Sequence, residues 1–248
     1  MAKARTMTLN VQDHKPDTTT ANDLRAPGWF ARWPIIGLVM VLAGGLLFGA
    51  LAYDVQTHGP MFQQDASIST MLHNKVVNAP ARITELLIFG FFVGKELIQV
   101  ITVILALYFL HKRFWPELAM LLIGLGGGAL IWYFLIGVFN RPRPTAQIGI
   151  TVTEPSFPSG HMISAVLCYG LLLYLLFPKM PSRFWQWLLV SAAILTIIYI
   201  GVSRLVLGGH YLTDILAGTG LGIAWAGLVY TLIETIFMKR NNKDVEKR

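Results

Sequence analysis

The chain alternates between long apolar segments and short polar connections. Six segments have the length and composition of helices that cross a bilayer, which takes about 20 mostly apolar residues. They are residues 34–53, 86–110, 117–139, 161–178, 184–203 and 214–238. Because the segments follow one another closely, the pattern predicts a single domain over residues 34–238: an all-α integral membrane protein built as a six-transmembrane-helix bundle.

The longest connection, residues 54–85, mixes charged and apolar residues. This mixture predicts an amphipathic helix that lies on the membrane surface. Asp54 and Asp65, like Glu85 and Glu96, have no partner motif nearby. We therefore expect these four carboxylates in solvated or interfacial positions.

Both ends of the chain are polar. Residues 1–33 carry mixed charge, and the apolar segment that follows lacks a small-residue cleavage site, which predicts an uncleaved span after a disordered cytoplasmic tail. Within this tail, Trp29, Phe30 and Trp33 are expected to lie at the membrane interface. Residues 239–248 are predicted to form a basic cytoplasmic tail.

Lysine and arginine are distributed unevenly between the two sides of the predicted bundle. If the N-terminus is inside, 14 of the 20 Lys and Arg residues fall on inner segments. This bias predicts that both termini are cytoplasmic. The protein would then be a multi-pass plasma-membrane protein in which the connections after the third and fifth spans face outside.

The composition argues against several classes of protein. Residues are 54% hydrophobic and 13% charged, whereas about a quarter are charged in soluble domains. The net charge of +7 comes mostly from residues that flank apolar segments, which favours contact with anionic headgroups over nucleic acid. Cys168 is the single cysteine, so neither an intramolecular disulfide nor a cysteine-based zinc cluster can form. We expect no metal and no cofactor, and the oligomeric state is left open.

Three polar stretches at the ends of predicted spans fall on the same outer face: residues 140–144, 156–161 and 203–214. Arg143 and Arg204 offer planar, permanently charged forks that suit phosphate oxygens. The Pro-Ser-Gly sequence before the fourth span predicts a helix start, where free N–H groups favour an anion. There Ser159 can donate its hydroxyl, and Gly160 lets the backbone approach closely.

Two histidines accompany these anion-binding groups. His210 and Asp214 are four residues apart and share one helix face. A carboxylate in this place can hold an imidazole by its Nδ1–H, which leaves the other ring nitrogen free to attack. With His161 at the start of the fourth span, the set suits phosphate chemistry at a membrane surface.

This pattern resembles the type-2 phosphatidic acid phosphatase family of integral-membrane lipid phosphatases. The family's Pro-Ser-Gly-His part matches residues 158–161, and its Ser-Arg, five residues, His, three residues, Asp part matches residues 203–214. The six-span layout extends the resemblance over about residues 34–238. The remaining part is Lys, six residues, Arg-Pro: Arg143 fits it, but Ile136 occupies the lysine position.

The missing lysine, which binds phosphate in the family, leaves two candidate substitutes. Lys95 is one, with an ion pair to Glu96 or a snorkelling side chain as the alternative. Arg141 is the other. If either residue takes the role of the lysine, its replacement by alanine is expected to raise the KM for a lipid phosphate.

The resemblance implies a mechanism and a substrate class. His210 would form a phosphohistidine, Asp214 would orient it, and His161 would protonate the leaving group and then activate water. Arg143, Arg204 and the start of the fourth span (Ser159, Gly160) would bind the phosphate. The implied substrates are undecaprenyl diphosphate, phosphatidylglycerophosphate, phosphatidic acid and diacylglycerol pyrophosphate, and no metal is needed. Two alternatives remain open: a lipid-linked phosphotransferase, and a non-catalytic protein that binds or translocates lipid phosphates.

Overall fold

The structure is a computed structural model that describes residues 24–145 and 147–246, without the side chains of Val93, Lys95 and residues 238–246. Within these ranges it is helical and contains no strand. The helices are α1 (Trp29–Arg32), α2 (Pro34–Thr57), α3 (Pro60–Val77), α4 (Ala81–Lys112), α5 (Trp115–Phe139), α6 (Gly160–Leu176), α7 (Arg183–Val206) and α8 (Leu212–Glu246).

Six of these helices (α2 and α4 to α8) are long and apolar enough to cross a membrane, which confirms the predicted six-span helical bundle. Most are longer than the apolar segments, because helical hydrogen bonding continues past the last apolar residue. Three of the helices are followed by a residue in the left-handed conformation, where the chain turns. These residues are His58 after α2, Arg113 after α4 and Asn140 after α5. The helices α2, α4, α5 and α7 expose many large apolar side chains, as lipid-facing helices do.

Helices α2 and α8 form the closest contact in the bundle. A Cβ atom added to Gly44 of α2 would lie only 2.4 Å from the carbonyl oxygen of Gly220 in α8. Glycine is therefore required where the two backbones meet, as expected for small residues between membrane helices. This contact brings α8 into the middle of the bundle beside α6, which is buried along much of its length.

The segment before α2 packs onto the bundle instead of extending from it. Phe30 is buried among Tyr174 and Tyr230, so it is a core residue and not part of an interfacial belt. The buried carboxylate of Glu234 accepts hydrogen bonds from the N–H groups of Gly28 and Ala31. Residues 24–33 are thus an ordered part of the fold and not a disordered tail, while residues 1–23 lie outside the described chain.

Helix α3 provides the amphipathic helix that the 54–85 connection predicts. Asp54 fixes its start, accepting hydrogen bonds from the N–H groups of Met61 (3.3 Å) and Phe62 (2.7 Å). The helix packs against α7 and α8, and this contact buries Asp65 to 1% exposure. The expectation that Asp65 is solvated or interfacial is therefore wrong, because the inner face of α3 carries a carboxylate that pairs with polar groups of the bundle.

Candidate active site

The candidate site lies at the end of the bundle where α5 and α7 finish and α6 and α8 begin. The loops before α6 and after α7 are tied to this end by main-chain hydrogen bonds, such as Ser159 N–H to the Asp214 carbonyl at 3.1 Å. A cavity of about 600 Å³ opens here. It is lined by two arginines, a histidine, a glycine and two aromatic side chains, among others: Arg143, Arg204, His161, Gly160, Phe92 and Trp132.

His210 is held with one ring nitrogen facing only acceptors. Its Nδ1 lies 2.9 Å from the carbonyl oxygen of Ser156 and 3.5 Å from Oδ2 of Asp214. The Nδ1 atom must therefore carry the proton, and this assignment leaves a lone pair on Nε2. Arg143 Nη1 lies 3.2 Å from Nε2 and donates to that lone pair. His210 thus presents an unprotonated nitrogen next to a guanidinium.

The surroundings of His210 favour its neutral form. The ring is only 1% exposed, and this burial lowers its pKa below the ordinary value of 6.5. The hydrogen bond to Asp214 acts in the opposite direction, and the charges of Arg143 and Arg204 lower the pKa further. The ring of His161, in the first turn of α6, lies across from it with 6.2 Å between the ring centroids. The two imidazoles are thus close enough to act on one phosphate group.

Arg143 is fixed by main-chain carbonyl groups of two loops, the one that precedes α6 and the one between α7 and α8. Its Nε donates to the Glu154 carbonyl at 2.6 Å, and its Nη1 donates to the Gly209 carbonyl. Burial lowers the pKa of Arg143, while the negative charges of Asp214 and Glu154 raise it. A guanidinium remains charged under these conditions. Arg143 therefore brings a positioned positive charge to the cavity beside His210.

Arg204 is almost completely buried at the end of α7. Its guanidinium lies 3.6 Å from the centre of the Phe91 ring, and its Nη2 donates to the Phe91 carbonyl. Among the described residues, Arg204 Nε and the Ser159 hydroxyl are two of the few buried polar atoms without a hydrogen-bond partner. Buried donors of this kind normally have an acceptor, so both are available to an anion.

Gly160 is required by packing at the first residue of α6. A Cβ atom there would lie 2.8 Å from the indole of Trp132 on α5. The close approach leaves the free N–H groups of the helix start next to the cavity. The fold therefore places an anion-binding helix terminus beside the two arginines.

Of the two candidate substitutes for the missing lysine, the structure describes the side chain of Arg141 but not that of Lys95. Arg141 is 5% exposed and is not among the residues that line the cavity. Its guanidinium pairs with Asp214 at 2.7 Å and with Asp65 at 2.8 Å, so it is committed to carboxylates and not positioned for phosphate. The side chain of Lys95 lies outside the described residues, and Ile136 is buried.

Asp65 and the Ser156 carbonyl were missed by the sequence interpretation. No motif includes Asp65, and its partner Arg141 lies 76 residues away in the chain. The Ser156 carbonyl belongs to the main chain, which a side-chain pattern does not reveal. In the part of the chain that the structure describes, no group of three or more His, Cys, Asp or Glu residues has an arrangement that suits a metal ion.

Known proteins resemble this chain in both sequence and structure. A sequence profile described as the PAP2 superfamily matches residues 117–238. Phosphatidylglycerophosphatase B of Bacillus subtilis (strain 168) is 32% identical over 142 residues, which cover 56% of this chain and 69% of the relative. A crystal structure described as the first transmembrane PAP2-type phosphatidylglycerolphosphate phosphatase from Bacillus subtilis superposes with a TM-score of 0.66 and 27% identity, covering 77% of this chain and 94% of the other.

The apolar helices and these likenesses together define a multi-pass membrane phosphatase. The chain belongs to the PAP2 superfamily. This membership confirms the family resemblance seen in the sequence motifs.

Proposed function

We propose that the chain hydrolyses a lipid phosphate or diphosphate without a metal, through a phosphohistidine on His210. Phosphatidylglycerophosphate is the first substrate to test because both similar proteins are named for it. Undecaprenyl diphosphate and phosphatidic acid belong to the same class. The observation that carries the proposal is the arrangement of His210, whose Nδ1 faces only acceptors and whose Nε2 holds a lone pair beside Arg143.

In the first step, Arg143 Nη1 exchanges its hydrogen bond to Nε2 of His210 for one to a phosphate oxygen, and the freed Nε2 lone pair forms a bond to phosphorus while the bond from phosphorus to the lipid oxygen breaks. His161, as an imidazolium, donates a proton to the departing oxygen. The His210 ring then carries a positive charge, which the carboxylate of Asp214 stabilises. In the second step, His161 takes a proton from water, the resulting hydroxide attacks phosphorus, and inorganic phosphate leaves as Nε2 regains its lone pair.

Charge stabilisation comes from groups fixed before the substrate arrives. Arg143 and Arg204 face the cavity, and the unpartnered Ser159 hydroxyl adds a neutral donor. Such preorganised donors stabilise the charge that develops on the phosphate oxygens. Two arginines and a helix terminus supply this stabilisation at a site where Ile136 replaces the family lysine.

The cavity also suits a lipid. Phe92 of α4 and Trp132 of α5 line it, and Phe92 is 52% exposed on the apolar surface of the bundle. An acyl or prenyl chain can therefore extend from the cavity between spans while the headgroup meets the arginines. From the bias of Lys and Arg we place the site on the outer face of the plasma membrane, with both termini in the cytoplasm.

The test is phosphate release from purified protein in EDTA, with phosphatidylglycerophosphate, undecaprenyl diphosphate and phosphatidic acid compared. His210→Ala should abolish release, whereas the matched control His111→Ala, in the last turn of α4, should not. Release that stops in EDTA would contradict a metal-independent reaction. Phosphate found on an added acceptor instead of in solution would indicate a transferase, and binding without release would indicate a binding or translocating protein.

A further inference from the structure

A closed network of buried polar side chains lies next to His210, and none of its members lines the cavity. Arg141 Nη1 donates to Oδ1 of Asp214 at 2.7 Å and to the Thr213 hydroxyl at 2.7 Å, while its Nη2 donates to Oδ2 of Asp65 at 2.8 Å. Each of the four side chains is 5% exposed or less. In so dry an environment, electrostatic interactions are strong. A charge in this network therefore acts on its neighbours without much screening.

Asp65 fixes two members of the network at once. Its Oδ1 accepts the Thr213 N–H at 3.2 Å, and its Oδ2 accepts both the Thr213 hydroxyl and Arg141. Thr213 lies in the first turn of α8, one residue before Asp214. Asp65 thus attaches α3 to the turn of α8 that carries the catalytic carboxylate.

Two aromatic rings also pack on the guanidinium of Arg141. Its central carbon lies 4.8 Å from the centre of the Phe62 ring and 4.2 Å from that of the Tyr211 ring. Asp214 is fixed from both sides as a result. Its Oδ1 accepts a hydrogen bond from Arg141, and its Oδ2 accepts one from the Tyr211 N–H at 2.9 Å. The same Oδ2 lies 3.5 Å from His210 Nδ1.

The charges of the network explain why a second carboxylate is needed. Asp214 and Arg141 alone would sum to zero, and Arg141 would offset much of the stabilisation that Asp214 gives to a positively charged His210 ring. Asp65 compensates Arg141, so the network keeps one net negative charge. This charge opposes the positive groups that face His210 from other elements, Arg143 before α6 and Arg204 at the end of α7.

We propose that Asp65 is a positioning residue of the active site: through Arg141 and Thr213 it fixes Asp214 and maintains the negative charge that stabilises a positively charged His210 ring. The link to turnover rests on the phosphohistidine reaction proposed above. Asp65 does not line the cavity, so its replacement should lower kcat and leave the KM nearly unchanged. Asp65→Asn, which keeps the shape of the side chain, should reduce kcat about tenfold or more.

The matched control is Asp54→Asn. Asp54 fixes the start of the same helix, but its hydrogen bonds go to the N–H groups of Met61 and Phe62 and not to the network. If Asp65 served only to dock α3, the two variants would lose activity in proportion to their loss of thermal stability. We expect Asp54→Asn to keep its kcat within about twofold, as substitutions away from a reacting group do when the fold persists.

A series of charge-removing variants tests the electrostatic part of the proposal without relying on turnover. Heteronuclear NMR of isotope-labelled histidine gives the pKa of His210 in each folded variant. The charged or titratable groups next to this ring are Asp214, Arg143, Arg204 and His161, and Arg141 and Asp65 lie beyond Asp214. Asp65→Asn removes negative charge and should lower the pKa of His210 relative to the wild type, while Arg141→Gln should raise it.

The double variant Asp65→Asn/Arg141→Gln restores one net negative charge. It should return the pKa of His210 towards the wild-type value and recover part of the kcat that Asp65→Asn loses. An unchanged pKa in Asp65→Asn, or a double variant with no recovery in either quantity, would overturn the role of Asp65. A wild-type protein without any phosphatase turnover would instead contradict the proposed function, and the titration would still decide the effect of Asp65.

Discussion

Asp214→Asn tests how the tautomer of His210 is maintained. The Arg141 donor requires an acceptor at Oδ1, so the asparagine oxygen is expected to take that position and its NH₂ group the position of Oδ2. This NH₂ group would face two other donors, the Tyr211 N–H and the Nδ1–H of His210. The variant thus loses a charge-assisted interaction and gains a conflict between donors.

The size of the loss follows from the second acceptor of His210. Where a carboxylate alone fixes the tautomer of a catalytic histidine, its amide variant loses about ten-thousandfold in kcat. Here the Ser156 carbonyl is the nearer acceptor of Nδ1–H, at 2.9 Å, and the substitution leaves it in place. The lost hydrogen bond to a charged group is worth about 1.5–3 kcal/mol, which corresponds to a decrease in kcat of about 10- to 150-fold. The conflict between donors adds to this decrease, so we expect a loss at the upper end of the range.

The assay is steady-state phosphate release from a lipid phosphate in mixed micelles, with the wild type and Asp54→Asn as references and thermal unfolding as a check of folding. A loss near ten-thousandfold would show that the Ser156 carbonyl does not hold the tautomer. A loss below about threefold would show that the carboxylate is not coupled to the reacting ring, because it falls short of one charge-assisted hydrogen bond.

Three further predictions follow from the same geometry. Arg204→Ala should lower kcat on the order of a hundredfold, as loss of a preorganised donor does, and a wild-type kcat would contradict its role. Because burial lowers the pKa of His210 and its neutral form attacks, the decline of kcat/KM on the acidic side should have its midpoint below pH 6.5, while loss of the His161 proton that the leaving group needs gives a separate decline at higher pH; an acidic decline with its midpoint above 6.5 would contradict this assignment. Gly44→Leu should lower the thermal unfolding temperature, since its side chain meets Gly220, whereas Gly45→Leu, with open space around it, should not; equal shifts would contradict the close packing of α2 and α8.

The sequence predicts the helices and the histidines well because each has a local signal. A span needs a long apolar segment, and the Pro-Ser-Gly-His and Ser-Arg to His and Asp parts are short and ordered. The fold then brings Arg143, His161 and His210 to one end of the bundle, where the predicted spans begin and end. Local composition and spacing therefore suffice for this part of the site.

The roles of the two neighbouring arginines could not be read from the sequence. Both suit phosphate, and in a regular extended chain residues two apart face the same side. In the structure the irregular loop turns them to different partners. Arg143 reaches Gly209 and His210, whereas Arg141 reaches Asp65 and Asp214. Asp65 itself was misinterpreted because a carboxylate in an amphipathic helix has the same local pattern whether it faces water or a buried arginine.

The proposed reaction passes through a covalent phosphate on His210, which can be trapped. We would incubate His161→Ala in EDTA with radiolabelled p-nitrophenyl phosphate, whose leaving group needs no proton, so that the first step proceeds while water activation is slow. A phosphohistidine should give a label that is stable in base, labile in acid and located on His210 by mass spectrometry, and the double variant His161→Ala/His210→Ala should carry no label. Turnover by the wild type with no label on His210, or a label on another residue, would contradict it.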